Sequence, residues 1–164
     1  DARRTLEEFS RLPIEPGVDF IYLRALVALE EERWKDCERE LANLPDSLPR
    51  KYTEGLLLLA KGDKVSAGPV FDSCGDFYPA RWQVACLQVR RDPLRAIETL
   101  EEVVAVAGLG FQGRPGKPAR SLKSIRPALP WFILDREVLE RAPVLRPLRE
   151  DARTRDRFHK LLGR

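Results

Sequence analysis

The chain has a single histidine, His159, and histidine is the side chain most often used for proton transfer at neutral pH. It sits beside Lys160 in a basic C-terminal stretch, with no serine or cysteine motif near it in sequence, so it reads as a solvated surface residue. The three cysteines, Cys37, Cys74 and Cys86, are spaced 37 and 12 residues apart. That pattern matches neither a paired disulfide framework nor a C-x-x-C metal site, and it fits a reducing, cytoplasmic setting. Carboxylates cluster in runs, Glu30 to Glu32 and Glu101 to Glu102, at helix ends where hydration accounts for them. No residue earns a catalytic role, and no metal or cofactor is expected.

Two stretches could hold phosphate. Gly108-Leu109-Gly110-Phe111-Gln112-Gly113 has the spacing of a dinucleotide-binding turn, but such a turn must open a helix whose N–H groups face the pyrophosphate. Arg114-Pro115-Gly116-Lys117-Pro118 follows instead, so the motif is formal only. Arg114, Lys117, Arg120, Lys123 and Arg126 recur about every three residues, and repeated cations are what a phosphate backbone requires. Phe111 and Trp131 flank this run without entering it, whereas single-strand binders stack bases on aromatics within the groove. Residues 1 to 112 carry 15 basic and 20 acidic side chains, while 113 to 164 carry 14 and 6, so the net charge of +3 hides a basic tail. Arginine outnumbers lysine 22 to 7. The alternative this raises is a nucleic-acid-binding helical domain using the loop and the arginine-rich C-terminus.

The elements that position these residues are helical. Leu6, Phe9 and Leu12 predict an amphipathic helix over residues 2 to 12, ended by Pro13. It has the look of the second half of a truncated hairpin. Phe20 to Leu29 is apolar on nearly every face, as in a helix sandwiched between neighbours, and Trp34 to Leu44 carries Trp34, Cys37, Leu41 and Leu44 along one stripe. A second hairpin runs from Lys51 to Lys61, turns at Gly62-Asp63 and resumes toward Cys74. A cap at Ser66 would put Pro69 in a first turn, where its missing N–H does no harm. In the third hairpin Asp76 can cap the helix holding Trp82 and Val84, and Asp92-Pro93 supplies an N-cap followed by proline at the first helical position. Its second helix, to about Ala105, turns Ala96, Leu100, Val103 and Val104 inward. An Asp151-capped helix with Phe158, Leu161 and Leu162 closes the chain.

A repeat underlies this order. Ala25, Cys37 and Leu41 are answered thirty residues later by Gly55, Ala67 and Phe71, and more faintly by Val84, Ala96 and Leu100. Small residues twelve apart on consecutive helices let two antiparallel helices approach closely. The expected fold is therefore all-α, an antiparallel helix-hairpin array over residues 1–107, a basic Gly/Pro-rich loop over 108–126, and capping helices over 127–164. With 43% hydrophobic residues in 164, the chain can bury one sizeable core. Its longest apolar runs fall short of the roughly 18 to 20 residues of a membrane span. Methionine is absent and the first residues are charged and periodic, which suggests a piece of a larger intracellular protein.

The hairpins resemble the tetratricopeptide repeat family over about residues 19 to 105. The family's small helix A residue and its helix B alanine, again twelve apart, are matched by Ala25/Cys37, Gly55/Ala67 and Val84/Ala96. Gly62-Asp63 and Arg91-Asp92-Pro93 look like its interhelix turn, and Leu41, Phe71 and Leu100 fall at its large helix B position. The copies are spaced 30 and then 29 residues apart, against about 34 in the family. The resemblance implies a non-enzymatic scaffold or adaptor whose helices A line a concave groove for a peptide or protein segment. The groove positions are then Tyr22, Leu26 and Leu29; Tyr52, Leu56 and Leu59; and Arg81, Ala85 and Gln88. Tyr22 and Tyr52 stand out as anchors, because their hydroxyls want water or a partner. Lysine and asparagine, which clamp a terminal carboxylate in part of the family, are missing from these places.

Overall fold

A computed structural model describes residues 17–106 and 136–163, and every regular element among them is helical. The expected helix at 2–12, the glycine-rich stretch 108–113, the basic run from Arg114 to Arg126 and the apolar stretch Trp131 to Leu134 lie outside the described residues. The helices are α1 (Val18–Glu30), α2 (Trp34–Ala42), α3 (Leu48–Ala60), α4 (Lys64–Asp72), α5 (Tyr78–Gln88) and α6 (Pro93–Val106). After these come α7 (Arg136–Arg141), a 3-10 turn (Pro143–Leu145), α8 (Arg146–Glu150) and α9 (Arg155–Leu161). The chain divides into two compact units, one ending at Cys74 and the other beginning at Gly75.

The first unit holds two hairpins, α1 with α2 and α3 with α4, and their turns repeat bond for bond. In the first, Glu32 N–H donates to the Leu29 carbonyl (3.1 Å) and Arg33 N–H to that of Ala28 (2.8 Å). Thirty residues on, Gly62 N–H donates to Leu59 (3.0 Å) and Asp63 N–H to Leu58 (2.9 Å). This pair of bonds satisfies the last carbonyls of a helix and requires a left-handed residue after it. Gly62 takes that conformation at φ 85°, and so does Glu32 at φ 59°, where a side chain is strained.

The small-residue repeat closes both hairpins. Ala25, Cys37, Ala67 and Phe71 are completely buried, and Leu41 nearly so. Gly55 lets the Phe71 ring lie directly against the α3 backbone: a Cβ there would fall 2.5 Å from Phe71 Cε1. Ion pairs between α1 and α2 (Arg24 with Glu40) and between the two hairpins (Lys61 with Glu38) add polar ties at the edges.

Helix α4 corrects the expectation of a cap at Ser66. The N-cap is Asp63, whose carboxylate accepts the Ser66 N–H at 3.0 Å, and the helix runs through Gly68-Pro69 to Asp72. Pro69 has no N–H to offer the Val65 carbonyl, but Val65 is 74% exposed and water can take that place. Burial of Ala67 and Phe71 outweighs the lost bond.

The second unit pairs α5 with α6 and lays α8 and α9 against α6. Asp92 caps α6 through the Arg95 N–H at 3.1 Å, with Pro93 in the first helical position, as its sequence implies. Ala96, Leu100 and Val103 are buried with Val104 beside them. Asp76 does not cap α5; that place falls to Phe77, which makes no side-chain cap bond. Nor is Asp151 the N-cap of the last helix, which begins after Thr154. Asp151 starts the preceding turn, its carbonyl accepting the N–H groups of Thr154 (3.1 Å) and Arg155 (2.9 Å). Leu139, Leu145, Leu148 and Phe158 are fully buried in one core with Ile97 and Leu100. Arg157 then clasps α9 to α6, its guanidinium donating to both Glu101 carboxylate oxygens at 2.9 and 2.5 Å.

Candidate functional site

Helix α1 brings Tyr22 and Leu26 inward, and α3 does the same with Tyr52 and Leu56. All four are buried, Tyr52 completely. The Tyr22 hydroxyl hydrogen-bonds with Thr53 of α3, and burial raises its pKa more than this bond lowers it. The Tyr52 ring packs on Phe71 with centroids 5.8 Å apart and planes tilted by 54°. These residues are core, which corrects their reading as accessible groove anchors. The physical reason is the side-by-side packing of α1 and α3: residues on their facing sides are closed off, and a tyrosine ring is worth more buried than its hydroxyl loses. Leu59, on the same helix, stays half-buried.

The second unit holds the remaining pair, both half-buried on α5. Arg81 donates to Glu102 of α6 at 2.5 Å. Gln88 Oε1 accepts the Thr99 hydroxyl at 3.2 Å. Both are tied to the neighbouring helix, yet each keeps a solvent-facing edge.

Among the C-terminal arginines, Arg149 and Arg157 reach across elements, while Arg146 and Arg153 pair locally at the surface. Arg146 pairs with Glu150 (2.7 Å), Arg153 with Asp151 (2.7 Å), and Arg157 with Glu101. Arg149 donates to the carbonyls of Leu139 (3.4 Å) and Glu140. Beside Arg153, the Asp151 carboxyl is held down to about 2 by the side-chain hydrogen bond it accepts.

The three cysteines are held as thiols. Burial pushes the Cys37 thiol up to about 11 and that of Cys86 up to about 12, and Cys74 donates weakly to the Val70 carbonyl at 3.5 Å. A thiol so placed is rarely ionised at neutral pH. His159 is exposed. Among the described residues no group of three or more His, Cys, Asp or Glu side chains could hold a metal ion, and no helix is long and apolar enough to cross a membrane.

Sequence reasoning missed the accessible apolar residues, which lie at helix starts and outer faces. Val65 and Leu94, 74% and 40% exposed, each stand two residues after an N-cap aspartate, Asp63 and Asp92. Leu23, Val18, Leu48 and Val144 are also exposed. The available signal was their position relative to the caps, which hydrophobic periodicity alone does not weigh. No protein-family model, curated protein or solved structure matches the chain.

Proposed function

We propose that this chain is a non-enzymatic, tetratricopeptide-like helical module that binds a peptide or protein segment of a partner. The recurrence of one hairpin design carries this reading. The same two-bond turn and the same small-residue interlock occur at a thirty-residue interval, and serial hairpins of this kind serve chiefly to present extended surface. With Tyr22, Leu26, Tyr52 and Leu56 spent on the core, the working positions on the helices A are Leu59 in the first unit and Arg81 and Gln88 in the second. Free Cys37, Cys74 and Cys86 suit a reducing, cytoplasmic compartment. The nucleic-acid alternative leans on Arg114 to Arg126, with the C-terminal arginines, most of them in surface ion pairs, as a second source of cations.

Photo-crosslinking tests the proposal. A benzophenone side chain is placed at Leu59 or, as a control, at exposed Ala42 on α2, and both variants are irradiated in cells after their helical circular dichroism has been checked. Discrete protease-sensitive adducts from position 59 and none from 42 are expected. Nuclease-sensitive adducts, or equal labelling from both positions, would overturn it.

A further inference from the structure

The turn between α5 and α6 collects charge that the fold does not use. Arg90, Arg91 and Arg95 are exposed and make no ion pair with any described residue, unlike the arginines of the closing segment. The nearest acids in sequence are engaged elsewhere: Asp92 accepts the Arg95 backbone N–H, and Glu98 lies 3.8 Å from the Arg157 guanidinium. Arg153, paired with Asp151, also feels the field of Asp92 in smaller part, which places that pair near this turn. Like charges gathered this way oppose folding slightly; Arg90 and Arg91, just past the end of α5, complement its dipole, whereas Arg95 in the first turn of α6 runs against that helix's own. Helix stability therefore accounts for them only in part, and their guanidinium groups stand exposed.

The turn is also stiff. The N–H groups of Arg91 and Asp92 both donate to the Gln88 carbonyl, at 2.9 and 2.8 Å, and Pro93 locks the next residue. A stiff backbone spares the partner the cost of ordering the turn, which leaves the rotamer entropy of the arginine side chains to be lost on docking. In their midst Leu94 is 40% exposed. The same signature stands one hairpin earlier, where Val65 is 74% exposed beside exposed Lys64, again just after an aspartate cap. A phosphodiester backbone gains nothing from an aliphatic side chain, and residues 88–95 of the turn include no aromatic on which a base could stack.

We infer that the α5–α6 turn docks an acidic peptide segment carrying an apolar side chain, with Arg90, Arg91 and Arg95 gripping its carboxylates around Leu94. Arginine suits this work because its planar fork pairs with a carboxylate through two hydrogen bonds. The inference rests on the reading of a protein partner, but it names a surface separate from Leu59.

Fluorescence anisotropy on the full chain tests it. The probes are a short labelled peptide alternating pairs of glutamates with leucines, the same peptide with serine for leucine, and a single-stranded oligonucleotide of equal charge. The leucine peptide should bind most tightly and lose affinity as salt rises. The triple variant R90A/R91A/R95A should weaken it about tenfold or more, and L94S should bring it to the level of the serine peptide, with circular dichroism unchanged in both. Tighter binding of the oligonucleotide, equal binding of the two peptides, or an unchanged affinity in the triple variant would overturn the inference. None of these results bears on crosslinking from position 59, so the two readings fail separately.

Discussion

Replacing Gly55 by alanine probes the repeat at its tightest point. The new Cβ would lie 2.5 Å from Phe71 Cε1 and 2.8 Å from Cδ1 and Cζ, whereas carbon atoms rest at about 3.5–4.0 Å. The ring cannot simply swing away, because Phe71 is fully buried and already packed on Tyr52. Overpacking of this kind costs about 1–3 kcal/mol, offset by the roughly 1 kcal/mol that alanine gains over glycine in a helix. A net loss of about 0–2 kcal/mol is expected. Phe71→Leu alone opens a void beside Gly55 and should cost about 1–2 kcal/mol. The double variant G55A/F71L, however, reproduces the Ala25 and Leu41 pair of the first hairpin, which the fold packs at the corresponding positions. There the Cβ fills the space the ring vacates, so the two losses should fall short of additivity by about 1–2 kcal/mol. Urea unfolding by circular dichroism, with hydrogen exchange resolved to α3 and α4, measures the cycle. Strict additivity would show that residues 55 and 71 do not share one packing volume, and the size-matched repeat would fail with it.

Three further outcomes follow from the described geometry. Glu32→Gly should stabilise the first unit by about 0.5–1 kcal/mol, since the left-handed φ of 59° penalises a side chain by more than glycine loses in chain entropy; an unchanged or lower melting temperature would refute this. The Asp63 carboxyl is held below the usual range, first by its hydrogen bond to the Ser66 side chain and then by the Ser66 backbone. Its stabilisation is thus complete above the unfolded pKa of about 3.9 and lost as pH falls through the lower folded value. Asp63→Asn should flatten the acid limb of an urea-midpoint titration. Cys37, fully buried and with its thiol pushed up to about 11, should react with iodoacetamide only as fast as the first unit opens. Labelling at the rate of a free peptide thiol would contradict the packing.

The amino-acid sequence by itself determined the order of the hairpin helices and part of their punctuation. Asp92-Pro93 caps where it stands because proline at that position needs no N–H and aspartate supplies the missing acceptor, both local effects. The thirty-residue recurrence of small residues likewise announced which helices must touch, since only Ala25, Gly55, Cys37 and Ala67 leave room for backbone approach. What the chain could not disclose locally was which sides of those helices remain open. Tyr22 and Tyr52 have the composition of contact residues, and a family likeness put them in a groove, yet packing of α1 on α3 closes over both. In the same way Pro69 looked like a helix boundary, and only the burial of Ala67 and Phe71 supplied the energy to carry the helix through it. Exposure and tolerance of a broken bond are sums over neighbours distant in sequence, so tertiary structure alone decided them: it buried Tyr22 and Tyr52 and left Leu59 half-buried and Arg90, Arg91 and Arg95 exposed.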